Sequence, residues 1–332
     1  MYFVELPDIG QQRLSFYLAT EEYAARNIAC DPLFFYWQVE PTVIFGRNQC
    51  MESEVDVDYC RQHGIQLFRR KSGGGCVYAD LGNLMLCYIC RGDDVQFAYS
   101  RYVTMVLAVL RRLGIDASAT GRNDITVGGR KVSGSAFYHI PGRNPGRNIV
   151  HSTLLYDTDL GNMTRSLTPP ARKLAAKGVE SVRSRIALLK DYTPLTLARI
   201  KQAFRQMLCG GKTVKLSLQD VDNIREIERS YLDPVFFSGK GRRWTLVRKG
   251  RVEGCGELEV KLSLRDGHIT AAEIGGDYFA VGDLRGQFLA ALRGARFSRE
   301  ALQGIFEKYP PGKYIRGLDS AALLELITQQ QY

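Results

Sequence analysis

No stretch of this 332-residue chain is apolar enough to cross a bilayer; the most apolar helix candidate, Val103 to Leu110, is far too short. The opening Met1-Tyr2-Phe3-Val4-Glu5-Leu6-Pro7 lacks a basic start and a long apolar run, so no signal peptide is expected. Cysteine is present but unorganised: eight are spread singly rather than framed for disulfides. The one C-x-x-C, Cys87-Tyr88-Ile89-Cys90, falls in a predicted strand, where i and i+3 point to opposite faces, and no second pair completes a zinc site. The thiols are expected to be buried and apolar, in a reducing cytoplasm. Internal repeats and low-complexity segments are absent.

Acidic residues are in deficit. Asp and Glu number 35 against 45 Lys and Arg, a net charge of +10 that favours an acidic partner: nucleic acid, nucleotide or acidic protein. Between residues 161 and 190, Arg165, Arg172, Lys173, Lys177, Arg183, Arg185 and Lys190 face only Glu180. No arginine–aromatic interleaving or RNP-like motif accompanies them, so nucleic acid is not favoured as the partner. The 45% hydrophobic and 24% charged shares are those of a globular protein, long enough for one large and one small domain.

What stands out against this background is Arg69-Arg70-Lys71-Ser72-Gly73-Gly74-Gly75-Cys76-Val77-Tyr78-Ala79-Asp80-Leu81-Gly82-Asn83. Gly64 to Phe68 predicts a short strand before it, and Leu84 to Cys90 a strand buried on both faces after it. Three residues without Cβ let the backbone approach a ligand closely, and Arg69, Arg70 and Lys71 add charge. A flexible hairpin loop is the alternative; the adjacent cations favour a phosphate or carboxylate site. It is not a Walker A loop, since no Lys-Ser or Lys-Thr follows the glycines. Nor is it a dinucleotide fingerprint, since Tyr78 stands where the third glycine would fall.

Along the rest of the chain, helices are predicted over 13–26, 55–63 (stopped by Gly64) and 101–113 (stopped by Gly114). Strands are predicted over 33–38, 42–45 and 149–156. Ile125-Thr126-Val127 and Arg130 to Gly134 flank Gly128-Gly129, a hairpin that places Lys131 on a strand with Asn123 and Asp124 at the entrance of the other. Thr193-Pro194 opens a helix to about Leu208, and Ser217 to Asp220 forms a capping box for a helix ending at Tyr231. The loop 238–243 marks a boundary. Beyond it a hairpin, 256–264 with 268–274, precedes helices near 283–293, 299–309 and 320–330, the last two capped by Ser298 and Asp319.

Several of these stretches, in this order, resemble the lipoate–protein ligase family, of the bacterial type with an appended C-terminal domain. The glycine loop carries the likeness together with Gly121-Arg122-Asn123-Asp124, Arg130-Lys131-Val132-Ser133-Gly134-Ser135-Ala136, Thr153-Leu154-Leu155 with Asp159-Leu160, and Lys177-Gly178-Val179-Glu180-Ser181-Val182-Arg183-Ser184-Arg185. Leu18 to Tyr23, Val43 to Gln49 and Gly276-Asp277-Tyr278-Phe279 are also similar, so the likeness covers nearly the whole chain. It implies an α/β (α+β) fold: a biotin/lipoate ligase-like catalytic domain, 1–243, with a mixed, mainly antiparallel sheet, and a small α+β accessory domain, 244–332.

The implied activity is ATP-dependent activation of lipoate to lipoyl-AMP, then transfer to a lysine of a lipoyl carrier domain, as in 2-oxoacid dehydrogenase or glycine cleavage proteins. ATP with Mg2+ would be the cofactor set, lipoate the substrate and an acidic carrier domain the partner. The resemblance implies Lys131 as the catalytic residue, touching both the carboxylate and the α-phosphate. It places Arg70, Gly75, Cys76, Val77, Tyr78, Asn123 and Asp124 around ATP, with Asp124 also near Mg2+. It places Ser72, Gly74 and His151 beside the lipoate, and Lys177, Gly178 and Arg183 in a loop over the adenylate. The chain departs from the family pattern at Val150-His151-Ser152, where His-His-Gly is usual, and at Met85 and Cys87, where polar residues are more frequent. An ATP-independent acyltransferase using a cysteine thioester, a biotin ligase and a non-enzymatic basic binding protein are the alternatives.

Overall fold

The computed structural model describes residues 1–49, 51, 54–120, 123–141, 145–168, 185–238 and 244–329. Lys177, Gly178 and Arg183 lie outside the described residues. By contacts the chain divides into two compact units. One comprises Met1–Phe45, Met51–Arg70 and Cys76–Phe237; the other comprises Gly46–Cys50, Lys71–Gly75 and Ser238–Tyr332.

The first unit is built on an eight-stranded sheet. Its strands in chain order are β1 (Tyr2–Glu5), β2 (Leu33–Trp37), β6 (Asn83–Arg91), β7 (Ala117–Ala119), β8 (Asp124–Val127), β9 (Arg130–Ile140), β10 (Arg147–Leu155) and β11 (Thr213–Lys215). Their spatial order is β11-β1-β2-β6-β10-β9-β8-β7. Only the β1–β11 and β1–β2 pairs are parallel, so the sheet is mixed and mainly antiparallel, as expected. A smaller sheet sets β3 (Thr42–Phe45) between β4 (Gln66–Arg69) and β5 (Val77–Ala79).

Helices cover both faces of the large sheet, which explains why its central strands are buried end to end. On one face lies α1 (Leu14–Asn27), where Tyr17 stacks on Trp37 with ring centroids 5.1 Å apart. The other face takes α3 (Val95–Arg112), whose Tyr102 hydroxyl bonds Ser152 across 2.5 Å, and the helix Leu197–Cys209, whose Phe204 stacks on Phe34. Alternation along a strand divides the residues cleanly: Ser152 faces α3, while His151 and Thr153 face α1. The helix α1 carries no polar face; Leu14 through Ala25 are all buried, including Glu21 and Glu22. It is enclosed because the helix Leu218–Leu232 packs outside it, with Glu228 accepting from Ser15 Oγ at 2.6 Å and Arg13 Nε at 2.7 Å.

Boundaries follow local chemistry. Asp94 caps α3 by accepting from the Phe97 N–H, so that helix starts six residues before the expected Arg101. Thr193 forms only a turn to the Leu195 N–H, and Thr196 caps the following helix, which therefore begins at Leu197 rather than Pro194. The expected capping box at Ser217 and Asp220 is present, and Asp220 also accepts from the Tyr23 hydroxyl. The Tyr23 hydroxyl and Ser217, through its backbone N–H and hydroxyl, hold the Asp220 carboxyl below its ordinary range. A depressed carboxyl stabilises the fold above its unfolded pKa, and that contribution disappears as pH falls through the folded value. Asp220→Asn should therefore lower stability by about 1 kcal/mol near neutral pH, the scale of a helix cap, and by much less in strong acid, below the folded value. Urea midpoints at the two pH values measure this.

Within the second unit, β12 (Leu246–Val252), β13 (Gly256–Arg265) and β14 (His268–Gly276) form an antiparallel sheet. The β13–β14 turn puts Asp266 and Gly267 at φ 51° and 72°, the left-handed pair that closes a tight hairpin. Helices Arg299–Lys308 and Ser320–Thr328 close the core, capped by Ser298 and Asp319 as expected. The helix expected near 283–293 is instead a π turn, Leu284–Phe288, running into an α turn, Leu289–Leu292. No helix among the described residues is long and apolar enough to cross a membrane.

Candidate functional site

The hairpin of β8 and β9 turns through Gly128 and Gly129, both left-handed at φ 56° and 74°. A register shift between Ile125 and Thr126 pairs Lys131 with Thr126 and Asp124 with Gly134. That offset brings the two ends of the hairpin chemistry together: Lys131 Nζ lies 2.9 Å from Asp124 Oδ1. The amine folds over Gly134, where a Cβ would collide with Nζ and sit 2.8 Å from Cε. The bare Cα leaves room for the amine, and a side chain there would make the lysine tip move. Asn123 fixes the strand beside it, donating from Nδ2 to the Ser135 carbonyl at 3.2 Å and accepting the Ser135 N–H at 3.0 Å. A third charged side chain completes the group: Arg185 Nη2 binds the other Asp124 oxygen.

Sheet register extends this group along the α1 face. Trp37, Met85, Thr153 and Gly134 share one rung, and Phe35, Cys87, His151 and Ala136 the next on the same face. Gly134 and Ala136 leave the β9 end of those rungs short of side-chain bulk. His151 Nδ1 lies 2.7 Å from Glu21 Oε2, with Glu21 wholly buried and His151 5% exposed. Burial, reinforced by the charge and hydrogen bonding of Glu21, pushes the neighbouring Cys87 thiol well above its ordinary range. Five of the described cysteines (60, 87, 90, 209 and 255) are buried as expected, whereas Cys30 and Cys76 are partly exposed.

Arg70 and Arg69 serve the small sheet directly. Arg70 is 5% exposed, its Nη1 donates to the Ile44 carbonyl at 3.0 Å, and burial pushes its guanidinium down to about 10. Arg69 donates from Nε to the Phe237 carbonyl at 3.0 Å and stacks 4.7 Å from the Phe45 ring centre. Val77 and Tyr78 form β5, with Tyr78 buried and its hydroxyl pushed up by burial and by the charge of Asp80. The following Asp80-Leu81-Gly82-Asn83 is a structural staple. Asp80 accepts from the Gly82 and Asp159 N–H groups at 2.9 and 2.7 Å and from the Thr158 hydroxyl at 2.8 Å. A Cβ on Gly82 would collide with the Asp157 carbonyl.

In the second unit, the close approach permitted by the glycines is made to protein backbone. Gly73 lies so near the Tyr278 carbonyl that a Cβ would collide with it, and the Gly74 N–H donates to the same oxygen at 3.1 Å. One N–H expected to face an anion is thus committed to a carbonyl. Ser72 is buried, its carbonyl accepting the Arg47 N–H at 2.9 Å, while Gly75 and Cys76 are partly exposed.

Two contributors were not singled out by sequence reasoning. Glu21 stands on a helix buried all round, where an acid needs a polar partner; that was the available signal, but the partner is 130 residues away. Arg185 ended a recognised motif with nothing in the sequence to pair it with Asp124. For a metal, Asp124 is the carboxylate of the hairpin group, and each of its oxygens already carries a cation. No cluster of three or more His, Cys, Asp or Glu suited to a metal occurs among the described residues. Among the described residues, Asp124 therefore has no companion ligands for a resident metal.

Chemically, the hairpin group is a half-buried cationic pair on one carboxylate, next to an apolar sheet face on which Gly134 and Ala136 stand in line with Trp37, Met85 and Phe35. It suits an anionic head with an apolar tail. Comparison with known proteins agrees. The family model described as "Lipoyl protein ligase A/B catalytic domain" matches residues 14–209, and "Bacterial lipoate protein ligase C-terminus" matches 243–327. Lipoate–protein ligase 1 of Staphylococcus aureus is 31% identical over 99% of this chain and 100% of its own. The lipoate complex of P. falciparum LipL1 has a TM-score of 0.74 at 19% identity, covering 98% of this chain and 97% of that one, a likeness of fold. Protein Ta0514 of T. acidophilum with bound lipoic acid has a TM-score of 0.60 at 26% identity, covering 73% of this chain and all of that one.

Proposed function

This chain belongs to the lipoate–protein ligase family, and from that premise we propose how its own residues activate lipoate with ATP and pass it to protein. The lipoate carboxylate attacks the α-phosphorus of ATP, forming lipoyl-AMP and releasing pyrophosphate. A lysine ε-amine on a lipoyl domain then attacks the acyl carbonyl, forming an amide and releasing AMP.

The observation that carries the assignment of roles is Lys131, held by Asp124 over the space left by Gly134. Its amine stabilises the negative charge that gathers on the phosphorus in the first step and on the carbonyl oxygen in the second. Asn123 and Asp124 hold the strand and the amine in place. Arg70, Gly75, Cys76, Val77 and Tyr78 are proposed for the nucleotide, with Mg2+ arriving as part of the ATP substrate. His151 with Glu21, and Ser72 and Gly74, are proposed for the lipoate. Residues 1–243 carry the chemistry in this reading and 244–332 are accessory to it. Carrier domains of 2-oxoacid dehydrogenases or of the glycine cleavage system are the proposed acceptors, their acidity complementing the net charge of +10.

Burial disfavours a thioester at the enclosed cysteines. The thiols of Cys60 and Cys209 are each pushed up to about 11, and that of Cys87 well above its ordinary range, away from the thiolate a nucleophile needs. Mass spectrometry of a lipoyl domain incubated with the protein, lipoate and ATP should show full lipoylation, and none when ATP is omitted. Equal modification without ATP would overturn the reading.

A further inference from the structure

We propose that Arg185 is a positioning residue for Lys131 in adenylate formation, acting through the Asp124 carboxylate. The proposal rests on the function just given and adds a residue to it.

The Arg185 side chain is 23% exposed, Asp124 11% and Lys131 17%, so the three charges are shielded from solvent well beyond an ordinary surface pair. Backbone contacts set the reach of Arg185. Ile186 bridges Lys131 in parallel fashion, and the Ala187 N–H donates to the Lys131 carbonyl at 2.8 Å. Ile186 and Ala187 thus tie the chain just after Arg185 to the lysine's own backbone.

The division of the carboxylate matters for the amine. An ammonium carries three N–H donors. With Arg185 on Oδ2, Asp124 faces the Lys131 amine with Oδ1, an ion pair at 2.9 Å. Without Arg185 the carboxylate is free to turn and meet the amine with both oxygens, drawing it away from an incoming phosphate.

Pyrophosphate release from ATP and lipoate by the full-length protein tests this with Arg185→Ala, Arg185→Lys, Asp124→Asn and the Arg185→Ala/Asp124→Asn double variant. Arg185→Ala should lower kcat by about 10- to 100-fold while KM for lipoate moves by less than about threefold. Arg185→Lys should recover most of the loss. The double variant should be no slower than Asp124→Asn within about twofold, because the two residues act as one unit. The unfolding-temperature shifts of the single variants should likewise fail to add, a readout independent of activity. Wild-type kcat in Arg185→Ala, multiplying losses in the double variant, or additive temperature shifts would each overturn the proposal. Wild-type protein that releases no pyrophosphate would instead overturn the functional reading on which it rests.

Discussion

Lys131→Ala should reduce pyrophosphate release from ATP and lipoate by about 10²- to 10³-fold in kcat, the usual effect of deleting one preorganised donor at a centre of developing charge. The protein should remain folded, because the lysine stands near a strand end and Asp124 keeps Arg185. The loss should fall on kcat more than on KM for ATP, since the interaction strengthens as charge moves onto the phosphorus. Lys131→Arg should not restore the rate: a planar guanidinium is broader than an amine and will not fit the same space over Gly134. Steady-state rates alongside circular dichroism decide the matter, and kcat within about threefold of wild type in Lys131→Ala would remove the residue from the mechanism.

Glu21→Ala should cause the largest loss of stability, about 3–5 kcal/mol, because removing one member of a buried pair strands the other. His151 sits on a central strand with Ala136 and Cys87 on either side and is 5% exposed. Glu21→Gln keeps the shape and an acceptor, and should lose about 1–2 kcal/mol. His151→Ala should raise KM for lipoate with a smaller change in KM for ATP, since its ring lies on the face proposed for the acyl chain. Urea unfolding of the Glu21 variants and lipoate titrations of His151→Ala measure these. A Glu21→Ala loss below about 1 kcal/mol would show that the pair is dispensable to the fold.

What the sequence disclosed and what it withheld divide along the range of the interactions involved. The Gly128-Gly129 turn, the Ser217–Asp220 box and the caps at Ser298 and Asp319 depend on neighbours within three or four residues, and all were legible. The strands Tyr2–Glu5, Ala117–Ala119, Thr213–Lys215 and Leu246–Val252 were not foreseen: each is short or at an edge, and pairing rather than pattern makes it a strand. The start of α3 was hidden by composition. Val95, Ala98, Tyr99 and Tyr102 recur at helical spacing, but their aromatic and β-branched members mimic strand residues. In the site, the sequence placed Lys131 on one strand of the hairpin and Asp124 at the entrance of the other, but not the register shift that joins them. The glycine loop showed its need for close backbone approach but not that Tyr278, two hundred residues on, makes that approach. Glu21 with His151 and Asp124 with Arg185 are joined only by the folded sheet.

Gly134 has a consequence for how this protein would be mapped. A survey that trims side chains to alanine treats a glycine as already blank and passes over it. Here that survey would move from Ser133 to Ser135 and record a tolerant stretch. Yet adding one methyl group at 134 evicts the lysine amine while leaving every charge in the protein in place. The position separates possessing the proposed catalytic cation from having somewhere to put it, and mutational data on this chain will reveal it only where the substitution adds atoms.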